Sequence, residues 1–265
     1  MQSALITSLQ NPLVKQIRKL HRTKDRHRQG LFLLEGTHLL QEACAVSYPL
    51  QTVCCTPVWQ ARHANLWLQI EQRASAYRLV SAEVLAAMST TVNPDGVIAI
   101  APRRQLPPPE TVSLGVALEQ LQDPGNVGTI IRAAAAAGAD GLWLSQDSAD
   151  ADHPKTLRAS AGQWFRLPLI VPEALPEALQ QLRQQSIQIV ATTPVAALDY
   201  WALDLRLPTV FLLGNEGAGL SAELMALATH QVKIPLAAGV ESLNVAIAAA
   251  LLLYEARRQR GSTAH

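Results

Sequence analysis

The chain has 265 residues, of which 49% are hydrophobic and 16% charged, a balance that excludes disorder and leaves room for two domains of ordinary size. No run approaches the roughly 18 apolar residues of a membrane span, and the first residues turn basic rather than apolar, so the expectation is a cytoplasmic protein without membrane contact. The net charge of +1 hides an asymmetry: residues 1–30 carry Lys15, Arg18, Lys19, Arg22, Lys24, Arg26 and Arg28 against Asp25 alone, which marks either a polyanion contact or a solvated arm.

In chain order, Asn11 to about His27 predicts one basic helix with Leu13, Ile17 and Leu20 on a shared face. Leu31-Phe32-Leu33-Leu34 predicts a buried strand, and Leu39, Leu40, Ala43 and Val46 a helix after it. Further strands are expected at Val53-Cys54-Cys55, Tyr77-Arg78-Leu79-Val80 and Val97-Ile98-Ala99-Ile100, with a helix capped at Ser81. Cys44, Cys54 and Cys55 lack CxxC spacing and the histidines form no HExxH-like signature. Buried structural thiols are therefore expected, and no metal. Cys54 and Cys55 should face opposite sides of their strand.

This pattern makes a small α/β domain over residues 1–101. A spacer over 102–110 follows, holding Arg103, Arg104 and three consecutive prolines that cannot continue a helix or an interior strand. A second domain, 111–265, alternates strands and helices: strands at 112–118, 142–144, 187–191, 210–213 and 232–234, and helices at 127–137, after Pro154, from Ser221 and over 244–259. Such alternation predicts a parallel sheet covered on both faces. The closing helix is apolar almost all round, so it should be buried against the core or a second subunit.

Three loops in this second domain carry polar residues where α/β sheets bind ligands. Asn126 in Gln122-Asp123-Pro124-Gly125-Asn126 is a potential helix cap, and Arg132 lies about a turn and a half beyond it. Leu213-Gly214-Asn215-Glu216-Gly217-Ala218-Gly219 packs three glycines into six residues, implying close backbone approaches or unusual angles. It lacks the spacing of a dinucleotide or ATP phosphate loop. In Ile234-Pro235-Leu236 through Ser242-Leu243-Asn244-Val245-Ala246, Ser242 and Asn244 are cap or site candidates.

Taken together, Asn126 to Arg132, then Leu213 to Gly217, then Ile234 to Ala246 resemble the three motifs of the SpoU (TrmH-like) RNA ribose methyltransferases of the SPOUT superfamily. The likeness extends to residues 147–150 and to Arg158-Ala159-Ser160-Ala161-Gly162. Leu33-Leu34-Glu35-Gly36 and Pro94-Asp95-Gly96-Val97 are similar to the RNA-binding domain of the family's ribosomal-RNA branch, Asp95 standing where glutamine is usual. The resemblance implies an α/β SPOUT catalytic domain with a parallel sheet and a deep trefoil knot, preceded by a small α/β RNA-binding domain, in a homodimer. It implies transfer of a methyl group from S-adenosylmethionine to a ribose 2′-hydroxyl in structured RNA, with 23S ribosomal RNA favoured. A transfer RNA substrate, or a non-catalytic RNA-binding or ribosome-assembly role on the same scaffold, are the alternatives.

Residue by residue, the resemblance assigns Asn126, Arg132, Glu216, Ser242 and Asn244 to the target ribose. It assigns Thr192, Leu213, Gly214, Gly217, Ile234, Leu236 and Leu243 to the cofactor. Lys15, Arg18, Lys19, Arg22, Arg103 and Arg104 are expected to grip RNA. A guanidinium almost never deprotonates, so Arg132 is expected to stabilise charge or enlist a phosphate rather than act as a free base.

Overall fold

The computed structural model describes residues 5–104 and 106–261. The chain folds as two compact units, one of residues up to Arg104 together with Asp152–Phe165, the other of Gln105–Ala151 and the chain from Arg166 onward.

The first unit opens with α1 (Pro12–Lys19) and α2 (Thr23–Gln29), then β1 (Leu31–Glu35), α3 (Thr37–Ala45), β2 (Leu50–Cys55), α4 (Pro57–Arg62), α5 (Ala64–Glu71), β3 (Ala74–Leu79), α6 (Ala82–Met88) and β4 (Val97–Pro102). The single basic helix expected over 11–27 is broken in two. Asn11 Oδ1 accepts from Leu13 N at 2.9 Å to start α1, and the fully buried Arg26 stops it. Its Nη1 donates to the carbonyls of Leu20 and His21 at 3.1 and 3.0 Å, groups that an ending helix leaves unpaired. Its Nε pairs with the buried Asp152 at 3.1 Å. One of the seven cations of the basic block is thus a structural pin.

The four strands lie in the order β1-β4-β2-β3, and their pleat sorts side chains into two cores. Phe32, Leu34, Val53, Cys55, Val97 and Ala99 face α3 and α5. Leu33, Cys54, Ile98 and Ile100 face α1 and α6, meeting Val14, Ile17, Leu20, Val84 and Met88. Cys54 and Cys55 therefore point to opposite faces, as expected, and all three cysteines are buried free thiols. Burial pushes both neighbours up to about 12. Helices α4 and α5, which hold Trp59 and Trp67 in the core, went unforeseen because they are only six and eight residues long and break at His63, so no sustained helical period marks them.

In the second unit come β5 (Leu114–Leu118), α7 (Pro124–Ala137) and β6 (Gly141–Leu144). Helix α8 (Pro154–Ala159) belongs to the first unit. Then follow β7 (Leu169–Ile170), α9 (Leu175–Gln184), β8 (Gln188–Thr192), β9 (Leu198–Asp199), β10 (Thr209–Leu213), α10 (Ala222–Leu227), β11 (His230–Lys233) and α11 (Val245–Gln259). Every pairing in the seven-stranded sheet β7-β6-β5-β10-β8-β11-β9 is parallel. Leu175, Leu179, Leu182 and Leu224 cover one face over Ile189, Val210 and Leu212. Helices α7 and α11 pack together, with Arg257 Nη1 donating to Ala136 O at 3.0 Å. Arg260 fixes the end of α11 by donating to the carbonyls of Leu205, Leu207 and Ser113.

The expected boundaries need two corrections. The spacer's start is tied to the first unit: Arg103 N donates to Gly30 O at 2.8 Å and Tyr48 Oη to Pro102 O at 2.7 Å. Residues 152–165, assigned to the second domain, pack with the first. There Leu157 and Phe165 join the core, and Arg158 pairs with the buried Glu35 at 3.1 Å. On the closing helix, Ile247, Leu251 and Tyr254 are 52, 38 and 50% exposed in the single chain. No helix among the described residues is long and apolar enough to cross a membrane.

Candidate active site

Four adjacent strands bring the three loops together. Parallel register pairs Leu118 with Leu213 across β5 and β10, Ala191 with Leu212 across β8 and β10, and Thr192 with Val232 across β8 and β11. The segments leaving their C-terminal ends (119–123, 214–220, Thr192 onward, and 234–244) therefore emerge side by side, where open parallel sheets bind ligands.

The loop after β10 is a tight hairpin. Asn215 and Gly219 exchange two backbone hydrogen bonds of 3.0 Å, and Asn215 Oδ1 accepts from Gly217 N and Ala218 N at 2.9 Å, an Asx turn. Gly214 is required by space: a Cβ there would lie 2.3 Å from the Gly219 carbonyl carbon and oxygen. Gly219 is required by its φ of +72°. Gly217 meets neither condition, since a Cβ would reach only Asn215 Oδ1 at 3.6 Å.

Asn126 is not the cap of α7. Asp123 is, its Oδ1 accepting from Gly125 N at 2.9 Å, and Asn126 sits inside the first turn with its side chain free for other work. Asn126 Nδ2 donates to Glu216 Oε1 at 3.0 Å, and Asn126 Oδ1 accepts from Asn244 Nδ2 at 3.0 Å. Asn244 also caps α11, accepting from Ala246 N at 2.9 Å. One residue from each loop is thereby linked in a chain. Partial burial would raise the Glu216 carboxyl, but hydrogen bonds from Asn126, from its own backbone and from Gln122 N and Asp123 N outweigh it and hold it below the ordinary carboxylate range. The anion also sits at the positive end of α7.

The structure does not bring Arg132 into this chain. Six residues along a helix place it about 120° round the axis from Asn126. Its side chain is exposed and makes no hydrogen bond or ion pair with another described residue. Ser242 is also exposed, in the loop before α11. Sequence reasoning passed over Asn215 and Gln120. Gln120 adopts φ +54°, and its carbonyl accepts from Asn215 Nδ2 at 2.8 Å and Gln122 Nε2 at 3.0 Å. An asparagine opening a glycine-rich turn was the available signal for Asn215; Gln120 had none.

The residues expected to hold a cofactor fit one. Thr192 Oγ1 is buried at a strand end with no hydrogen-bond partner among the described residues, a cost that a ligand polar group would remove. Leu213 is buried at the end of β10, whereas Ile234 and Leu236 are half-buried and Leu243 is 38% exposed, these three lying on segments outside helix or strand. In the first unit, Lys15, Arg18, Lys19, Arg22 and Arg104 are exposed. Arg103 is a correction: its Nε is ion-paired with Asp152, so it helps pin the fold.

Residues 113–254 match the SpoU rRNA Methylase family, and residues 11–99 the MRM3-like substrate binding domain. An uncharacterized tRNA/rRNA methyltransferase of Synechocystis sp. is 50% identical over 97% of this chain and 94% of its own length. The 23S rRNA (guanosine(2553)-2′-O)-methyltransferase RlmP of Bacillus subtilis is 33% identical over 95 and 98%. The AdoMet-bound rRNA methyltransferase of Sinorhizobium meliloti superposes with a TM-score of 0.87 at 34% identity, covering 99% of this chain and 100% of that one. With one residue of each motif joined at the carboxyl edge of its parallel sheet, this chain belongs to the SpoU rRNA methylase family.

Proposed function

We propose that the chain methylates a ribose 2′-hydroxyl of large-subunit ribosomal RNA, with S-adenosylmethionine as methyl donor. The observation that carries this reading is the Asn244–Asn126–Glu216 chain beside the unpaired Thr192 hydroxyl. Thr192, Leu213, Gly214, Gly217, Ile234, Leu236 and Leu243 would hold the cofactor, which when bound supplies an electrophilic methyl on a sulfonium.

The chain's own groups then have to place an oxygen in line and ease its proton away. Asn126, locked from both ends, cannot rotate its amide, so Asn244 keeps a fixed direction and one amide hydrogen for the ribose. Ionised Glu216 anchors Asn126 by accepting from its Nδ2. Arg132, always charged, stabilises the developing alkoxide, alone or with an RNA phosphate, and the hydroxyl proton passes to a phosphate oxygen or to solvent. Ser242 adds a hydroxyl on the same loop. RNA selection follows from the target, since DNA has no 2′-hydroxyl.

The reading includes the trefoil knot and a homodimer. Support for the dimer is the exposed apolar stripe of Ile247, Leu251 and Tyr254 beside Tyr200, around a cavity of about 410 Å³. Action in the cytoplasm belongs to the same proposal.

Incubating the protein with radiolabelled S-adenosylmethionine and protein-free ribosomal or transfer RNA, then identifying the labelled nucleoside, tests this directly. A 2′-O-methylated nucleoside from ribosomal RNA is expected; label in transfer RNA alone would move the substrate, and label on a base would overturn the chemistry. Arg132→Ala should lose at least a hundredfold in turnover while binding S-adenosylmethionine as the wild type does. Wild-type turnover in that variant would remove Arg132 from the mechanism.

A further inference from the structure

The basic helices of the first unit do more than carry charge. Between α1 and α2 runs a groove of about 370 Å³ lined by Pro12, Lys15, Gln16, Lys19, Arg28 and Gln29. Its cations line one cleft, whereas the exposed Arg18, Arg22 and Lys24 of the same helices do not line it.

The cleft is held open in advance. Val14, Ile17 and Leu20 seat α1 on the sheet. The buried Arg26 then fixes the turn into α2, through the Leu20 and His21 carbonyls, Thr23 Oγ1 at 2.9 Å, and Asp152. Arg28 is oriented by its ion pair with Asp25 at 2.5 Å, and its side chain remains 64% exposed. A guanidinium has five donors, so most of its capacity stays available. Three cations and two side-chain amides converge on a groove with no carboxylate in its lining.

We infer that this groove is a preformed seat for the sugar–phosphate backbone of the RNA substrate, read by Lys15, Lys19 and Arg28 together. The inference rests on the RNA reading above and narrows it: register on the RNA is set at one cleft, not by the summed charge of the basic arm. Phosphate contacts of this kind fix position without reading sequence.

The test compares two triple variants of equal charge. One is Lys15→Ala, Lys19→Ala and Arg28→Ala; the other is Arg18→Ala, Arg22→Ala and Lys24→Ala. Each is titrated with end-labelled, protein-free 23S ribosomal RNA at several salt concentrations. The groove triple should lose at least about tenfold in affinity and flatten the log–log salt slope by about 1 to 2, while the second triple loses less than about threefold. All six residues are exposed, and the charge-keeping variant Lys15→Arg, Lys19→Arg, Arg28→Lys should regain wild-type affinity, which separates lost contacts from misfolding. Equal losses from both triples, or undiminished affinity in the groove triple, would overturn the inference. Methyl transfer by the wild type is measured on the same RNA. Groove-dependent affinity without any transfer counts against the methyltransferase reading alone, and transfer without groove dependence counts against the groove alone.

Discussion

At the scale of single residues, two of the three glycines in the hairpin after β10 make opposite demands. Gly214→Ala would drive its methyl to within 2.3 Å of backbone atoms of Gly219, which cannot yield as a side chain would. The hairpin must open, and S-adenosylmethionine binding should fall at least tenfold by calorimetry. Gly217→Ala, with only a 3.6 Å contact to Asn215 Oδ1, should bind within about threefold of wild type. Matching losses in both variants would mean that the cradle is not built by the Gly214–Gly219 approach. The Asn126–Glu216 bond makes a second prediction. Glu216 is held below its ordinary value by hydrogen bonds that include Asn126, so its ionised form survives to lower pH than a free carboxylate, and its contribution is lost as pH falls through that depressed value. Removing the donor in Asn126→Ala lets burial act with less opposition, raising the carboxyl. The acid limb of kcat/KM should then move to higher pH, beyond any loss of turnover. An unmoved limb would detach the pH dependence from this pair.

At the scale of elements, the longer strands were legible because their apolar runs are short and bounded by glycine, proline or polar residues. Observed β1 to β6, β8, β10 and β11 cover the expected residue runs apart from one or two residues at their ends. The edge strands β7 and β9, two residues each, carry too little pattern to read. The basic segment misled for a physical reason: periodicity reports one apolar face across residues 13–20, but not that a buried arginine farther along takes the carbonyls that would continue the helix. In the site, Asn126, Glu216 and Asn244 were named from motif order, yet their mutual bonds depend on strand adjacency that spacing does not contain. Strand β2 yields a prediction of its own. Cys54 and Cys55 are raised from 9.0 to about 12 by burial. In the unfolded chain both ionise near their ordinary value; in the folded chain both keep their protons. Their contribution to stability is complete below about pH 9 and is lost as pH rises from there through about 12. Denaturant midpoints should decline across pH 9 to 11 more steeply in the wild type than in Cys54→Ala with Cys55→Ala, and neither thiol should react with iodoacetamide at pH 8 before unfolding. Rapid modification of the native protein would place these sulfurs at the surface.

For the whole molecule, the segment 152–165 decides what can be separated from what. The chain leaves the second unit after Ala151, runs through α8 as part of the first, and re-enters at Arg166. The motif Arg158-Ala159-Ser160-Ala161-Gly162, which resembles a methyltransferase signature, is used here as packing. Arg158 ties to Glu35 at 3.1 Å and to Thr90 Oγ1 at 2.9 Å. Gly162, at φ +81°, leaves room that a Cβ would take from Glu42 at 2.3 Å. Leu157 and Phe165 are 0 and 5% exposed within the core containing Phe32, Leu40 and Trp59. A proline-rich spacer suggests a clean cut near residue 105, but such a cut would leave α8 without the strands that bury it. Exposing Leu157 and Phe165 alone forfeits about 1.5–3 kcal/mol each, more than a six-residue helix can recover by itself. The fragment 106–265 should therefore show hydrogen exchange and trypsin cleavage concentrated at 152–165, and should aggregate more than the full chain. Replacing residues 152–165 in that fragment by a glycine–serine linker should restore solubility while leaving the sheet and α11 protected. If the unmodified fragment instead protects 152–165 as the full chain does, the helix is held by the second unit's own packing and the segment belongs to that unit.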